Sequence, residues 1–182
     1  MVRQNWQLWS GILDQKWIEN VSDRVEKDFL VQDASTFAGD TVNHRRSKVR
    51  WISDDDDIKN FLFAFADIAA RTFGIHIYNK ADIQYTEYLA SEGGHYDWHH
   101  DVDWNRNDGM DRKISVTVQL SDPNRYAGGD FAFSETENPA NEQMKMQGSI
   151  LCFPSYLQHR VTPVTSGTRK SIVAWFEGPQ WR

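Results

Sequence analysis

The sequence predicts an α+β fold weighted towards β, in which two helices back an antiparallel sandwich or barrel. Two observations carry this. Apolar residues recur at steps of three and four as far as about Phe73, and at steps of two from residue 75 onward. The later strands are short, are separated by turn signals, and have no helices between them.

The elements follow in order. From Ser10, a candidate N-cap, the residues Ile12, Leu13, Trp17, Ile18, Val21, Val25, Phe29 and Leu30 form one helix face. Residues 33–48 are polar and contain glycine, and read as a loop. Val49 to Ile52 is a short strand. The run Asp54-Asp55-Asp56-Asp57 opens a second helix, because acidic groups favour its positive end. A calcium loop would need spaced ligands and a glycine turn, which this run lacks. The helix continues through Ile58, Phe61, Leu62, Phe65, Ile68 and Ala69 and stops at Gly74. Strands are then expected at Ile75–Tyr78, Ile83–Leu89, Tyr96–His99, Ile114–Leu120, Asp130–Phe133, Ser149–Phe153, His159–Val161 and Arg169–Phe176. Asn107-Asp108-Gly109, Ser121-Asp122-Pro123, Gly128-Gly129, Asn138-Pro139 and Ser166-Gly167 mark the turns.

The 182 residues suit one domain with a sizeable core. A hydrophobic content of 40% and an aromatic content of 13% argue against disorder. The net charge of -6 carries no nucleic-acid footprint. The basic run from His44 to Arg50 reads as a solvated loop or edge strand. A single cysteine, Cys152, rules out an internal disulfide and reads as a buried small residue. There is no apolar leader core and no apolar run near the ~20 residues that span a bilayer. A cytoplasmic protein with neither membrane nor nucleic-acid partner is expected.

The chemistry concentrates in Gly93-Gly94-His95-Tyr96-Asp97-Trp98-His99-His100-Asp101. Side chains at i and i+2 of a strand share a face, so His99 and Asp101 can converge on one metal. His95 and Asp97 have the same spacing, and spacing alone does not choose between the pairs. A lone His-x-Asp is a weak signal, and His159 strengthens it. Two imidazoles and one carboxylate leave coordination positions open, as non-heme Fe(II) oxygenases require. Zinc hydrolases use a related set. Arg169 lies ten residues after His159 and shares strand parity with Ser171. A buried guanidinium is costly unless it meets a carboxylate, either from a structural ion pair or from a bound dicarboxylate.

Residues 83–182 resemble the iron- and 2-oxoglutarate-dependent dioxygenases of the prolyl 4-hydroxylase-like (PKHD-type) group. The resemblance lies in Gly93-x-x-Tyr96-x-x-His99-x-Asp101, in Arg112 to Pro123, and in Tyr126-Ala127-Gly128-Gly129-Asp130-Phe131. It continues through Phe153-Pro154-Ser155 and His159 to Val164, and closes with Gly167-Thr168-Arg169 and Trp175.

The resemblance implies a double-stranded β-helix, or jelly roll, in one domain spanning 1–182, with 1–75 as helical support packed on one sheet and 76–182 as the core. It implies Fe(II) held by His99, Asp101 and His159, with 2-oxoglutarate and O2 as cosubstrates, Arg169 on the distal carboxylate, and ascorbate as a reactivating reductant. The glycine-tyrosine prefix selects His99 and Asp101 over His95 and Asp97. His95, Asp97, His100 and Asp103 are then expected at the rim or surface. Tyr88 and Tyr96 are candidates for bonding 2-oxoglutarate or lining the pocket, and Ser171 for the same carboxylate. Trp98 and Trp104 are weaker candidates for a substrate wall, and Trp175 is expected in the core. Hydroxylation of an unactivated C–H, with succinate and CO2 released, is the implied activity. A prolyl residue of a peptide or protein is the leading substrate, and a free amino acid or other small molecule is the alternative. Residues 33–48 and 103–112 are expected as covering loops. A non-catalytic jelly-roll binding module and a zinc hydrolase are the rival readings.

Overall fold

The computed structural model describes residues 4–35 and 44–182. In chain order the elements are β1 (Gln7–Trp9), α1 (Gln15–Asp28), β2 (Gln32–Asp33), β3 (Arg45–Arg46), β4 (Lys48–Trp51) and α2 (Asp56–Phe73). They continue with β5 (Ala81–Leu89), β6 (His95–His99), β7 (Met110–Gln119), β8 (Tyr126–Gly128) and β9 (Phe131–Phe133). The last are α3 (Asn141–Lys145), β10 (Ile150–Pro154), β11 (His159–Val161) and β12 (Val164–Pro179).

Local chemistry sets the helix ends. Asp14, rather than Ser10, caps α1, because its Oδ1 accepts from the Trp17 N–H at 2.8 Å. The Ser10 hydroxyl is instead spent on the Gln143 carbonyl, at 2.9 Å. Asp55 caps α2 by accepting from the Ile58 N–H, and Gly74 ends it with a φ of 69° that suits glycine. The aspartate run is therefore a helix start, as its charge pattern predicts.

The strands form two antiparallel sheets. The larger runs β1-β10-β7-β12-β5-β4-β2, with β8 on the first part of β12, and the smaller runs β3-β6-β11-β9. This is the jelly-roll arrangement. Its largest sheet has one apolar and one polar face, because side chains alternate along each strand. Ile114, Val116 and Val118 of β7 and Ile172, Ala174 and Phe176 of β12 turn to the helices. There they meet Ile18, Val21 and Val25 of α1 and Leu62, Ala66 and Ala69 of α2. Each such large apolar side chain contributes roughly 1.5–3 kcal/mol by leaving water. The alternate residues Thr117, Arg169, Ser171, Val173 and Trp175 line a cleft between the sheets. Cys152 is fully buried in the apolar layer, which pushes its thiol well up and leaves it inert.

Three expectations change. Residues 1–75 are more than helical support: β1 pairs with β10 and β4 with β5 in the large sheet, while β3 pairs with β6 in the small one. Ile75–Tyr78 forms no strand, although its ends are tied by Ile75 N–H to Ala70 O and Tyr78 N–H to Glu177 O. The stretch 33–48 holds β3 and the ends of β2 and β4. Its residues 36–43 lie outside the described residues, and with them much of the first expected covering loop.

Candidate metal centre and its cleft

The small sheet builds the centre. β6 and β11 pair so that His159 lies opposite His99, and Val161 opposite Tyr96. Three residues of β11 (159–161) thus lie opposite four of β6 (96–99), which is a β-bulge. The bulge puts Tyr96 and His99 on the same face although they are three positions apart. β6 ends at His99, and the chain bends so that Asp101 returns between the two imidazoles. Its backbone N–H is held by the Ser155 carbonyl at 3.0 Å. The Asp101 oxygens lie 3.6 Å from His99 Nε2 and 3.5 Å from His159 Nε2. One donor atom from each of the three lies within 4.8 Å of the others.

The hydrogen bonds leave these donors free for a cation. The Nδ1–H of His99 donates to the Asp97 carbonyl at 2.7 Å, and that of His159 to the Leu157 carbonyl at 2.9 Å. A carbonyl only accepts, so each ring carries its proton on Nδ1 and presents a Nε2 lone pair to the cluster. Ser115 donates to Asp101 Oδ2 at 2.6 Å, and Ser155 Oγ lies 2.9 Å from Ser115 Oγ. Burial, and then the neighbouring His159, hold the His99 imidazole well below its usual range, so it stays neutral. Burial alone pushes the Asp101 carboxyl up. His159, His99 and the Ser115 hydroxyl together outweigh it and hold the group below the ordinary carboxylate value. Two imidazoles and a carboxylate, each oriented by a further hydrogen bond, fit a divalent metal such as Fe(II).

The cleft beside the cluster carries two buried guanidinium groups. Arg169 is 3% exposed and lies opposite Tyr88 in the β12–β5 register, with its Cζ 5.6 Å from the Tyr88 ring centre. Its Nη1 donates to Ser171 Oγ at 3.5 Å, and no carboxylate pairs with it among the described residues. Its charge therefore lacks a structural counter-ion and faces the cavity. Gly129 makes room for it: a Cβ there would come within 2.9 Å of Arg169 Cδ. The second group, Arg45 of β3, is 6% exposed and packs 4.5 Å from the Tyr96 ring centre.

Tyr88, Tyr96 and Ser171 all line this cleft. Tyr96 is stacked on His99, with ring centres 3.4 Å apart and planes at 8°. Phe131 and Phe153 pack against His159 with ring centres at 5.4 and 4.7 Å. The second His-x-Asp pair lies elsewhere. His95 Nδ1 contacts the Gly93 carbonyl at 2.8 Å, and Asp97 is exposed, with its Oδ1 accepting from the Trp98 N–H. Asp103 closes a turn through the Asn105 N–H. His100 lines the outer cleft.

The tryptophan expectation is corrected. Trp98 lies under Arg160, 4.5 Å from its Cζ, and Trp104 is 62% exposed, so neither lines the cleft. Trp175 is buried at 5% exposure, as expected of a core residue, and also lines the cleft, with Trp51 at the outer end. The second expected covering loop is pinned rather than loose. Arg106 is paired with Asp108 and with the buried Glu177, and β7 already begins at Met110. Sequence reasoning missed Arg45, Ser115 and Trp175. The signal for Arg45 was the parity of Arg45 and Ser47, an Arg and a Ser both turned inward in a basic run.

Residues 83–177 match the model for the 2OG-Fe(II) oxygenase superfamily. The chain belongs to this superfamily. Among curated relatives, a PKHD-type hydroxylase of Synechococcus sp. (strain CC9605) is 36% identical over 88 residues, covering 48% of this chain and 39% of the relative. One from Shewanella sp. (strain MR-7) is 38% identical over 71 residues, 38% of this chain and 31% of the relative. The matches thus span under two fifths of those relatives' lengths. Two solved oxygenase structures share the fold. A Pseudomonas putida prolyl-4-hydroxylase superimposes with a TM-score of 0.70 at 17% identity, covering 96% of this chain and 93% of the other. A viral collagen prolyl hydroxylase from Paramecium Bursaria Chlorella virus-1, in a 2OG complex, gives 0.68 at 18% identity, covering 96% and 97%.

Proposed function

We propose that the protein is an Fe(II)- and 2-oxoglutarate-dependent hydroxylase. The observation that carries this is the pairing of the His99–Asp101–His159 cluster with Arg169, a buried cation lacking a described counter-ion, in one cleft. His99, Asp101 and His159 would hold the metal, which with 2-oxoglutarate supplies O2 activation and the oxidation of an unactivated C–H, releasing succinate and CO2. Arg169 would receive the distal carboxylate of 2-oxoglutarate through its planar fork. Ser171 orients that fork, and Tyr88 forms the wall behind it. Tyr96, Phe131 and Phe153 brace the imidazoles and keep water from their flanks. Ser115 donates to the Asp101 carboxylate, which holds it in place and favours its ionised form. No side chain has to act as nucleophile.

A prolyl residue of a peptide or protein is the leading substrate. Support comes from the PKHD-type and prolyl hydroxylase relatives, one of which is a Trichoplax adhaerens enzyme in complex with a peptide fragment. The test is Fe(II)-dependent conversion of 2-oxoglutarate to succinate, with inhibition by N-oxalylglycine. Arg169→Ala should raise the 2-oxoglutarate concentration needed by roughly 10–100-fold, as expected for loss of a charge-assisted pair. Succinate formation independent of Fe(II), or indifferent to Arg169→Ala, overturns the reading.

A further inference from the structure

We infer that the substrate presents a carboxylate to Arg45, in the half of the cleft that 2-oxoglutarate leaves free; the inference rests on the proposed function. Strand geometry separates the two cations. Gln84, which holds Arg45, pairs with Val173, four residues along β12 from Arg169 and so about 13 Å away. Arg45 stands beside the centre: its Cζ lies 4.5 Å from the Tyr96 ring centre, and that ring is stacked on His99 with ring centres 3.4 Å apart. A carboxylate on Arg45 would therefore sit on the metal side of the cleft.

The direct partners of Arg45 are neutral. Its Nε donates to Ser47 Oγ at 3.0 Å, its Nη2 donates to Gln84 Oε1 at 2.6 Å, and the Tyr96 ring covers one face. No carboxylate pairs with it among the described residues. Neutral acceptors satisfy donors but leave the charge itself uncompensated in a buried site. In this outer half of the cleft Asp101 is the one carboxylate among the described lining residues, and it belongs to the metal cluster. The excess of donors extends to the wall. The Trp175 indole N–H is buried with no acceptor among the described residues. The Arg112 guanidinium, paired with Asp82, lies 4.1 Å over the Trp175 ring. A peptide carbonyl could accept from Arg45, but it would leave the positive charge unmatched. A carboxylate matches both charge and fork.

Two sources carry this chemistry: the α-carboxylate of a free amino acid or peptide C-terminus, and an acidic side chain beside an internal prolyl residue. Calorimetric titration of the protein loaded with Mn(II), which supports binding without turnover, and saturated with 2-oxoglutarate separates them. The ligands are acid–amide pairs: L-proline and L-prolinamide; a peptide ending in free proline and its amide; and a blocked peptide with Glu-Pro and its Gln-Pro counterpart. At least one acid should bind about 10-fold tighter than its amide, since a charged hydrogen-bonded pair is being compared with a neutral one. The pair showing the preference names the source. Arg45→Gln should abolish the preference, and Arg45→Lys should keep part of it through the remaining charge. Amides matching acids, no acid binding, or a preference surviving in Arg45→Gln overturns the inference. If Arg45→Gln does not fold, the wild-type ratio and the Arg45→Lys ratio decide. Failure of 2-oxoglutarate itself to bind would overturn the oxygenase reading as well, whereas its binding without acid preference overturns this inference alone.

Discussion

Asp101 and Asp97 lie four residues apart, with equal His-x-Asp spacing, and end in opposite environments. Asp101 is 4% exposed between two imidazoles, while Asp97 is exposed and bonds the next backbone N–H. Asp101→Ala should abolish metal binding and Fe(II)-dependent turnover, whereas Asp97→Ala should keep most of both; Mn(II) titration followed by electron paramagnetic resonance reads the difference. Ser115 offers a finer test, because it donates to Asp101 without reaching the cluster's centre. Removing such a supporting hydroxyl by Ser115→Ala should weaken metal affinity by roughly 10–100-fold. Spacing and strand parity made His99, Asp101, His159 and Arg169 candidates in the sequence, but His95 and Asp97 have the same spacing, and the choice between the pairs came from the resemblance carried by the Gly93-x-x-Tyr96 prefix. Ser115, Arg45 and Trp175 were not legible as site residues. Their roles depend on which strand faces which across the sandwich; the parity of Arg45 with Ser47 marks an inward pair but does not say what that pair faces.

At the scale of elements, the turn between β8 and β9 shows how a loop serves a site on another strand. Gly128-Gly129 reads from sequence as a plain turn, and Gly129 does have φ 63°. Its second constraint appears only in three dimensions: an added Cβ would lie 2.9 Å from Arg169 Cδ and 3.0 Å from Val164 Cγ2. Gly129→Ala should therefore cost on the order of 1–3 kcal/mol in stability, through the strained backbone, and weaken 2-oxoglutarate binding by displacing the Arg169 stem. Urea denaturation and calorimetric titration measure the two effects. The helices and the long strands were legible from their periods. The three residues of β1 and the two of β3 were not, because such short strands carry too few positions for a period and exist through their partners β10 and β6. The bulge in β6 escaped for the same reason: it is a mismatch between two strands rather than a property of one.

The whole molecule inherits a pH dependence from its centre. Burial, and then His159, keep the folded His99 imidazole well below 6.5, while in the unfolded chain it titrates near that value. Between the two the unfolded chain binds more protons, so stability rises with pH and is lost as pH falls below about 6.5. Asp101 acts with the same sign lower down. Its folded carboxyl lies below 3.8, so its contribution is present above that value and is lost as pH falls through the folded one. The metal-free protein should thus melt at a lower temperature at pH 5 than at pH 7, and His99→Gln should flatten that slope; scanning calorimetry at fixed ionic strength checks this.

His99 and His159 belong to the small sheet and Arg169 to the large one. On the proposed reading the gap between the two sheets acts as a gauge of molecular length. Facing sheets pack about 10 Å apart, a distance set by side chains remote from the chemistry. A keto diacid must then bridge from one leaf to the other. Oxaloacetate, one carbon shorter, should fall short of the guanidinium, and 2-oxoadipate, one carbon longer, should have to buckle. Both should therefore support oxidative decarboxylation far less well than 2-oxoglutarate, measured as O2 consumption with each acid.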